Sequence, residues 1–136
     1  MDTVAQIDMF FAGRPRQWAL FEAMRGALCS RWPETSLRVM KTCVSFDDPR
    51  PYLYVSLPPA SISGGREGIL VTFGLRRHQA HPRFAQVVRI SGSRYTVHLP
   101  VFGEDEIDGE LLGLVALSRA QCEKPRHAAV DNRDKM

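Results

Sequence analysis

The sequence predicts a single α+β domain. A mainly antiparallel sheet of about five to six strands, from roughly Leu37 to His98, lies between N- and C-terminal helices that pack together on one of its faces. Three observations carry this. Apolar residues recur at spacings of three and four near both chain ends. Between them, several segments alternate apolar and polar residues with the period of two that a half-buried strand requires. Short, turn-rich connections join those segments, which implies hairpins and antiparallel pairing. The domain is read over residues 1–123, and the polar stretch 124–136, which contains Pro125, as a flexible tail.

Val4, Ile7 and Phe11 mark a first short helix over residues 4–11, which Gly13 breaks. Pro15 suits the first turn of a second helix, because its missing N–H has no partner there anyway. Trp18, Phe21, Met24 and Leu28 form its apolar stripe, and Pro33 ends it. From Leu37 to Phe46 the chain collects strand formers without helical spacing, and residues 47–51 (Asp-Asp-Pro-Arg-Pro) are turn chemistry. In the strand from Tyr52 to Leu57, Leu53, Val55 and Leu57 share one face and Tyr52, Tyr54 and Ser56 the other. Residues 61–66 read as a flexible loop. Ile69 to Leu75 is the strongest strand, with Ile69, Val71, Phe73 and Leu75 on one face. Residues 76–85 are irregular. Gln86 to Ile90 and Arg94 to Val101 are strands around a Ser-Gly-Ser turn. The last helix starts near Glu104, with acids in its first turns and Ile107, Leu111, Leu114 and Val115 as its apolar face.

An apolar fraction of 44% and a charged fraction of 24% over 136 residues suit one globular domain with a real core. No apolar run reaches the length of about 18 residues that a spanning helix needs, so no membrane partner is expected. The first residues carry acid and no basic run, which speaks against a signal peptide. Cys29, Cys43 and Cys122 are odd in number and widely spaced, so a reducing, cytoplasmic setting with inert thiols is expected rather than disulfides.

Known chemical motifs are few. The glycine-rich segment Gly64-Gly65-Arg66-Glu67-Gly68 precedes a strand, whereas a phosphate-binding loop follows one and opens a helix, so it reads as a connector. Neither a nucleophile elbow nor a zinc-protease motif occurs. His78 and His81 have no carboxylate or thiol close by in sequence and read as loop histidines, so the sequence points to no metal and no cofactor. Arg66, Arg76, Arg77, Arg83, Arg89 and Arg94 face only Glu67 within residues 66–100, while residues 101–118 carry acids alone. The basic stretch therefore either meets nucleic acid or is solvated charge partly paired with the acidic helix.

Lys41 is the residue whose facing disagrees with its neighbours. Strict alternation puts it with Leu37 and Val39 on the apolar face, unless a bulge returns it to solvent. A desolvated lysine has a lowered pKa and can act as base or nucleophile. His98 lies with Thr96 on the polar face of its strand. If the strands are neighbours, His98, Tyr52, Tyr54 and Lys41 converge on the open face of the sheet.

The succession of motifs resembles a known family. It runs from Asp8-Met9-Phe10-Phe11-Ala12-Gly13-Arg14-Pro15 through Lys41-Thr42, Ser45-Phe46 and Leu70-Val71-Thr72-Phe73-Gly74-Leu75. It continues with His81-Pro82-Arg83-Phe84, Arg94-Tyr95-Thr96-Val97-His98 and Glu106-Ile107-Asp108-Gly109-Glu110-Leu111. Together these resemble a family of short bacterial domains of unknown function, some of whose relatives carry the label "predicted transport protein". The resemblance implies an α+β domain and no established activity, cofactor or catalytic residue. Carried over position by position, Lys41, Thr42, Phe46, Arg83 and His98 match motif positions, whereas residues 76–80 depart from the more apolar and acidic link expected before His-Pro-Arg.

Three functional readings follow. The first is a non-enzymatic module that binds a small molecule or a protein on the open sheet face, with Lys41, Thr42, Tyr52, Tyr54, Arg83 and His98 as candidate contacts. The second is a small enzyme or ligand sensor built on Lys41 and His98. The third is nucleic-acid binding through Arg76, Arg77, Arg83, Arg89 and Arg94. Exposed sheet edges also offer a route to a homodimer.

Overall fold

The computed structural model describes the backbone of residues 2–134 and the side chains of residues 2–121. Helix α1 (Thr3–Phe10) begins where the Asp2 carboxylate accepts the Ala5 N–H at 2.8 Å, satisfying a donor that has no partner within the helix. Gly13, at φ 76°, turns the chain through the left-handed region into α2 (Pro15–Arg31), which has its proline in the first turn as the sequence predicts.

Six strands follow: β1 (Ser36–Val39), β2 (Val44–Asp47), β3 (Pro51–Ser56), β4 (Ile69–Leu75), β5 (Gln86–Ser91) and β6 (Arg94–Val101). They form one sheet in the order β1-β2-β3-β4-β6-β5, and every neighbouring pair is antiparallel. The fold is α+β, as predicted. The segment from Leu37 to Phe46 resolves into two strands joined by a turn, with the Met40 N–H bonded to the Cys43 carbonyl. β4 does not pair with β5. β6 lies between them, so residues 76–85 cross β6 before β5 begins.

The loop expected over residues 61–66 includes part of a one-turn helix, α3 (Ala60–Ser63), which Gly64 ends in the left-handed conformation. The acids of residues 104–106 form a short 3-10 turn, and α4 (Gly109–Asp134) starts later than expected, after Asp108. The Asp108 carboxylate accepts the Leu111 N–H at 3.0 Å. The stretch from 124, read from sequence as a tail, continues α4 along the backbone to Asp134, and its side chains lie outside the described residues.

The core explains which face the helices cover. Val44, Phe46, Leu53, Val55, Ile69, Val71, Phe73, Val97, Leu99 and Val101 project from one face of the sheet and are buried. They meet Ile7 and Phe11 of α1, Phe21, Met24 and Leu28 of α2, and Leu111, Leu114 and Val115 of α4. Each such side chain contributes roughly 1.5–3 kcal/mol on leaving water. Trp18, expected in the α2 stripe, is 41% exposed, and Leu20 is buried in its stead.

On the opposite face, the register lines up one residue from each strand in a single row: Arg38, Ser45, Tyr54, Thr72, His98 and Gln86. Among the described residues, no helix is long and apolar enough to cross a membrane.

A basic cavity at one end of the sheet

β3 and β4 pair at Ser56–Leu70, Val55–Val71 and Tyr54–Thr72, and continuing that register past Leu53 and Phe73 would set Tyr52 opposite Gly74. That pair is not formed. Ser118 of α4 stands in its place: its Oγ accepts the Gly74 N–H at 3.3 Å and donates to the Tyr52 carbonyl at 2.9 Å. The helix thus satisfies the two backbone groups that the parting strands leave without each other.

β2 carries a register shift at the same end, so that Phe46 faces Leu53 and Asp47 faces Pro51. Tyr52 is the extra residue, and this corrects its expected facing. Instead of sharing the open face with Tyr54, its ring packs edge-on against Trp32 and its hydroxyl bonds to Thr35 Oγ1 at 2.9 Å. Burial pushes its phenol pKa up to about 12, against a smaller lowering from the Thr35 hydrogen bond.

A cavity of about 370 Å³ opens where β3 and β4 part. Topology explains what surrounds it. Arg50 ends the β2–β3 turn, Arg76 follows β4 and Arg94 begins β6; antiparallel pairing brings all three chain positions to the same end of the sheet. All three line the cavity. Tyr54, Thr72 and Thr96 contribute from the sheet, Tyr95 and Ile90 from the β5–β6 side, and Ser118 and Gln121 from α4. Among the described residues, no carboxylate pairs with Arg50, Arg76 or Arg94.

His98 lies in the neighbouring row position. Its Nδ1 is 2.9 Å from the Thr72 hydroxyl, and Thr72 itself reaches the cavity. Burial lowers the His98 pKa below the usual 6.5, so the ring is neutral at pH 7.

The other sequence candidates go elsewhere. Lys41 and Thr42 are exposed in the β1–β2 turn, at the end of the sheet opposite the arginines. Alternation does not apply to Lys41, because β1 stops at Val39. Three strand spacings, roughly 14 Å, separate the β2 strand beside it from β6, so Lys41 and His98 are not brought together.

Arg83 holds the crossing segment to the start of α4. It donates to Asp108 Oδ1 at 3.0 Å, Glu110 Oε1 at 3.1 Å and the Glu106 carbonyl at 2.6 Å, while His81 Nε2 is 3.2 Å from Glu110. Burial works against the Arg83 charge, but the bonds to Asp108 and Glu110 outweigh it and raise its pKa. In return, Asp108 is lowered by the Leu111 N–H and then by Arg83, and Glu110 first by Arg83. The predicted pairing of basic stretch with acidic helix is thus present at this residue. Arg89 bonds to the Gly92 carbonyl at 2.9 Å within its turn, and Arg77 is exposed. His78 meets Tyr95 edge-on and His81 lies tilted against Phe84, and no group of three metal-ligating side chains occurs among the described residues.

Sequence reading missed Arg50, Thr72 and Ser118. Arg50 sits in a turn beside two prolines, and only the strand order shows that this turn adjoins the ends of β4 and β6. Ser118 has a weak signal: it is a small polar residue one turn beyond Leu114 and Val115, on the face of α4 that packs on the sheet. No family model, no curated protein and no solved structure matches the chain.

Proposed function

We propose that the protein is a non-enzymatic binding module that takes a small molecule into the cavity at the parted ends of β3 and β4. The observation that carries this reading is convergence. Residues 50, 54, 72, 76, 94, 96 and 118, distant in sequence, surround one concavity of about 370 Å³. That volume falls in the range of small-molecule sites, about 300–1,000 Å³. The lining mixes ring faces with hydroxyls and guanidinium groups, so it can bury an apolar body and orient a polar one. His98, neutral and bonded to Thr72, stiffens the sheet beside the cavity. The separation of Lys41 from His98 removes the geometric support for an enzyme that uses both.

The test is a fragment screen of the full chain by two-dimensional NMR. Ligands that bind should shift the backbone amides of Gly74, Arg94 and Thr96 together, and Thr96→Trp, which fills the cavity from the sheet, should abolish those shifts while leaving the spectrum folded. A broad library that leaves these amides unmoved, or moves them equally in the filled variant, overturns the reading.

A further inference from the structure

We infer that the ligand is a small organic anion, a phosphomonoester or a dicarboxylate on an aromatic or apolar body, held at its charged end by Arg50, Arg76 and Arg94. This rests on the cavity being a ligand site. The three arginines come from three separate strand ends yet line one cavity, and no described carboxylate pairs with any of them. The contrast within the same chain is informative. Arg38 pairs with Asp47 at 3.0 Å, Arg83 with Asp108 and Glu110, and Arg119 with Asp48 at 2.7 Å. These carboxylates are engaged by other arginines, Asp48 among them although it lies two residues from Arg50.

Like charges gathered in one concavity repel each other and raise the local concentration of anions. A guanidinium fork matches the two oxygens of a carboxylate or phosphate, so three of them suit a group with more than one negative charge. The remaining lining suits the rest of such a molecule. Tyr54 and Tyr95 supply aromatic side chains, Ile90 is 59% exposed on the edge strand β5, and Thr72 and Thr96 line the same space. Nucleic acid is disfavoured because the basic stretch is not one stripe: Arg83 is held in an ion cluster and Arg89 in a turn.

The experiment titrates the full chain, followed by NMR, with phenyl phosphate, phthalate, neutral benzyl alcohol and a single-stranded 20-nucleotide DNA. Phenyl phosphate or phthalate should shift Gly74, Arg94 and Thr96 in a saturable way, and the tighter of the two identifies the head group. Arg50→Gln, Arg76→Gln and Arg94→Gln should each weaken binding about tenfold, equivalent to about 1.4 kcal/mol. Arg77→Gln should leave it unchanged. Benzyl alcohol binding as tightly as the anions, or affinity unaltered in all three variants, overturns the anion assignment while leaving a binding site in place. Failure of every small probe to move these amides removes the anion assignment; failure of the whole fragment library removes the site as well. DNA binding that outcompetes phenyl phosphate and depends on Arg77 and Arg89 replaces the inference with nucleic-acid recognition.

Discussion

The Thr72 hydroxyl and His98 Nδ1 lie 2.9 Å apart on the face of the sheet that no helix covers, and burial disfavours the charged imidazole. The sign of the resulting pH dependence follows. An unfolded chain takes up the histidine proton near its ordinary pKa of 6.5, whereas the folded chain resists it to lower pH. Between those values the unfolded state binds more protons, so stability falls as pH drops through 6.5 and this contribution levels off below the folded pKa. Asparagine places an amide group about where Nδ1 stands, so His98→Asn can keep the Thr72 bond without titrating. Urea midpoints measured from pH 7.5 to 5.0 should therefore decline more steeply in the wild type than in His98→Asn, and parallel curves would show that His98 is not desolvated as described. At the same scale, Tyr52 shows where residue-by-residue reading stops. Its alternation is correct in sequence, but it is the extra residue where β3 shifts register against β2, and its ring turns toward Trp32 and Thr35.

Helix α4 is fixed to β3, β4 and the crossing segment 76–85 by a few polar contacts as well as by its apolar face. Ser118 bridges Gly74 and Tyr52, so Ser118→Ala leaves an N–H and a carbonyl without their partner. Each buried unpaired group costs about 1–3 kcal/mol, and partial closure of the strands recovers some of that, so a net loss of roughly 2 kcal/mol in urea unfolding is expected. A loss indistinguishable from that of an exposed Ala substitution would mean that the strands close fully without the serine. Arg83→Met should lower the melting temperature more than Arg76→Met, because only Arg83 is bonded to Asp108, Glu110 and the Glu106 carbonyl. Asp108 and Glu110 have depressed pKa values, so their contribution is complete above the ordinary carboxylate range and is lost as pH falls through the folded values. The gap between the two variants should accordingly narrow in strong acid. Elements of this kind were only partly legible in the sequence. The alternation of β4 and β6 and the proline at the start of α2 are local signals, and they specify those elements directly. The β1–β2 turn escaped because Met40-Lys41-Thr42-Cys43 contains no glycine, proline, asparagine or aspartate to announce it. The Arg83 cluster links residues 23 to 27 apart, so no window of local pattern contains it.

Strand order governs the whole molecule and is the property that local patterning specifies least. A segment of residues 76–85 is long enough either to turn back beside β4 or to cross to the far side of β6, and hydrophobic alternation is the same in both cases. The choice decides the site. With β6 beside β4, Arg94 comes to the same sheet end as Arg76; with β5 there instead, the lining would lose Arg94 and Thr96. The same order fixes a gradient of stability across the sheet. β3 and β4 are covered by α4 and paired on both sides, β6 is paired on both sides, and β1 and β5 are edges with one free row of backbone groups each. β5 is also mostly exposed, with a register shift near its end. Amides open by local or global unfolding at rates set by how much packing must be broken. Hydrogen exchange should therefore be slowest for Val71, Phe73, Val97 and Leu99, intermediate in β2, and fastest in β1 and β5, with Val88 and Arg89 exchanging orders of magnitude faster than Val71. If β5 instead paired beside β4, Val87 and Val88 would rank with the most protected amides and β6 would show the edge behaviour. The exchange profile thus checks, in one measurement, the topology on which the convergence of the three arginines depends.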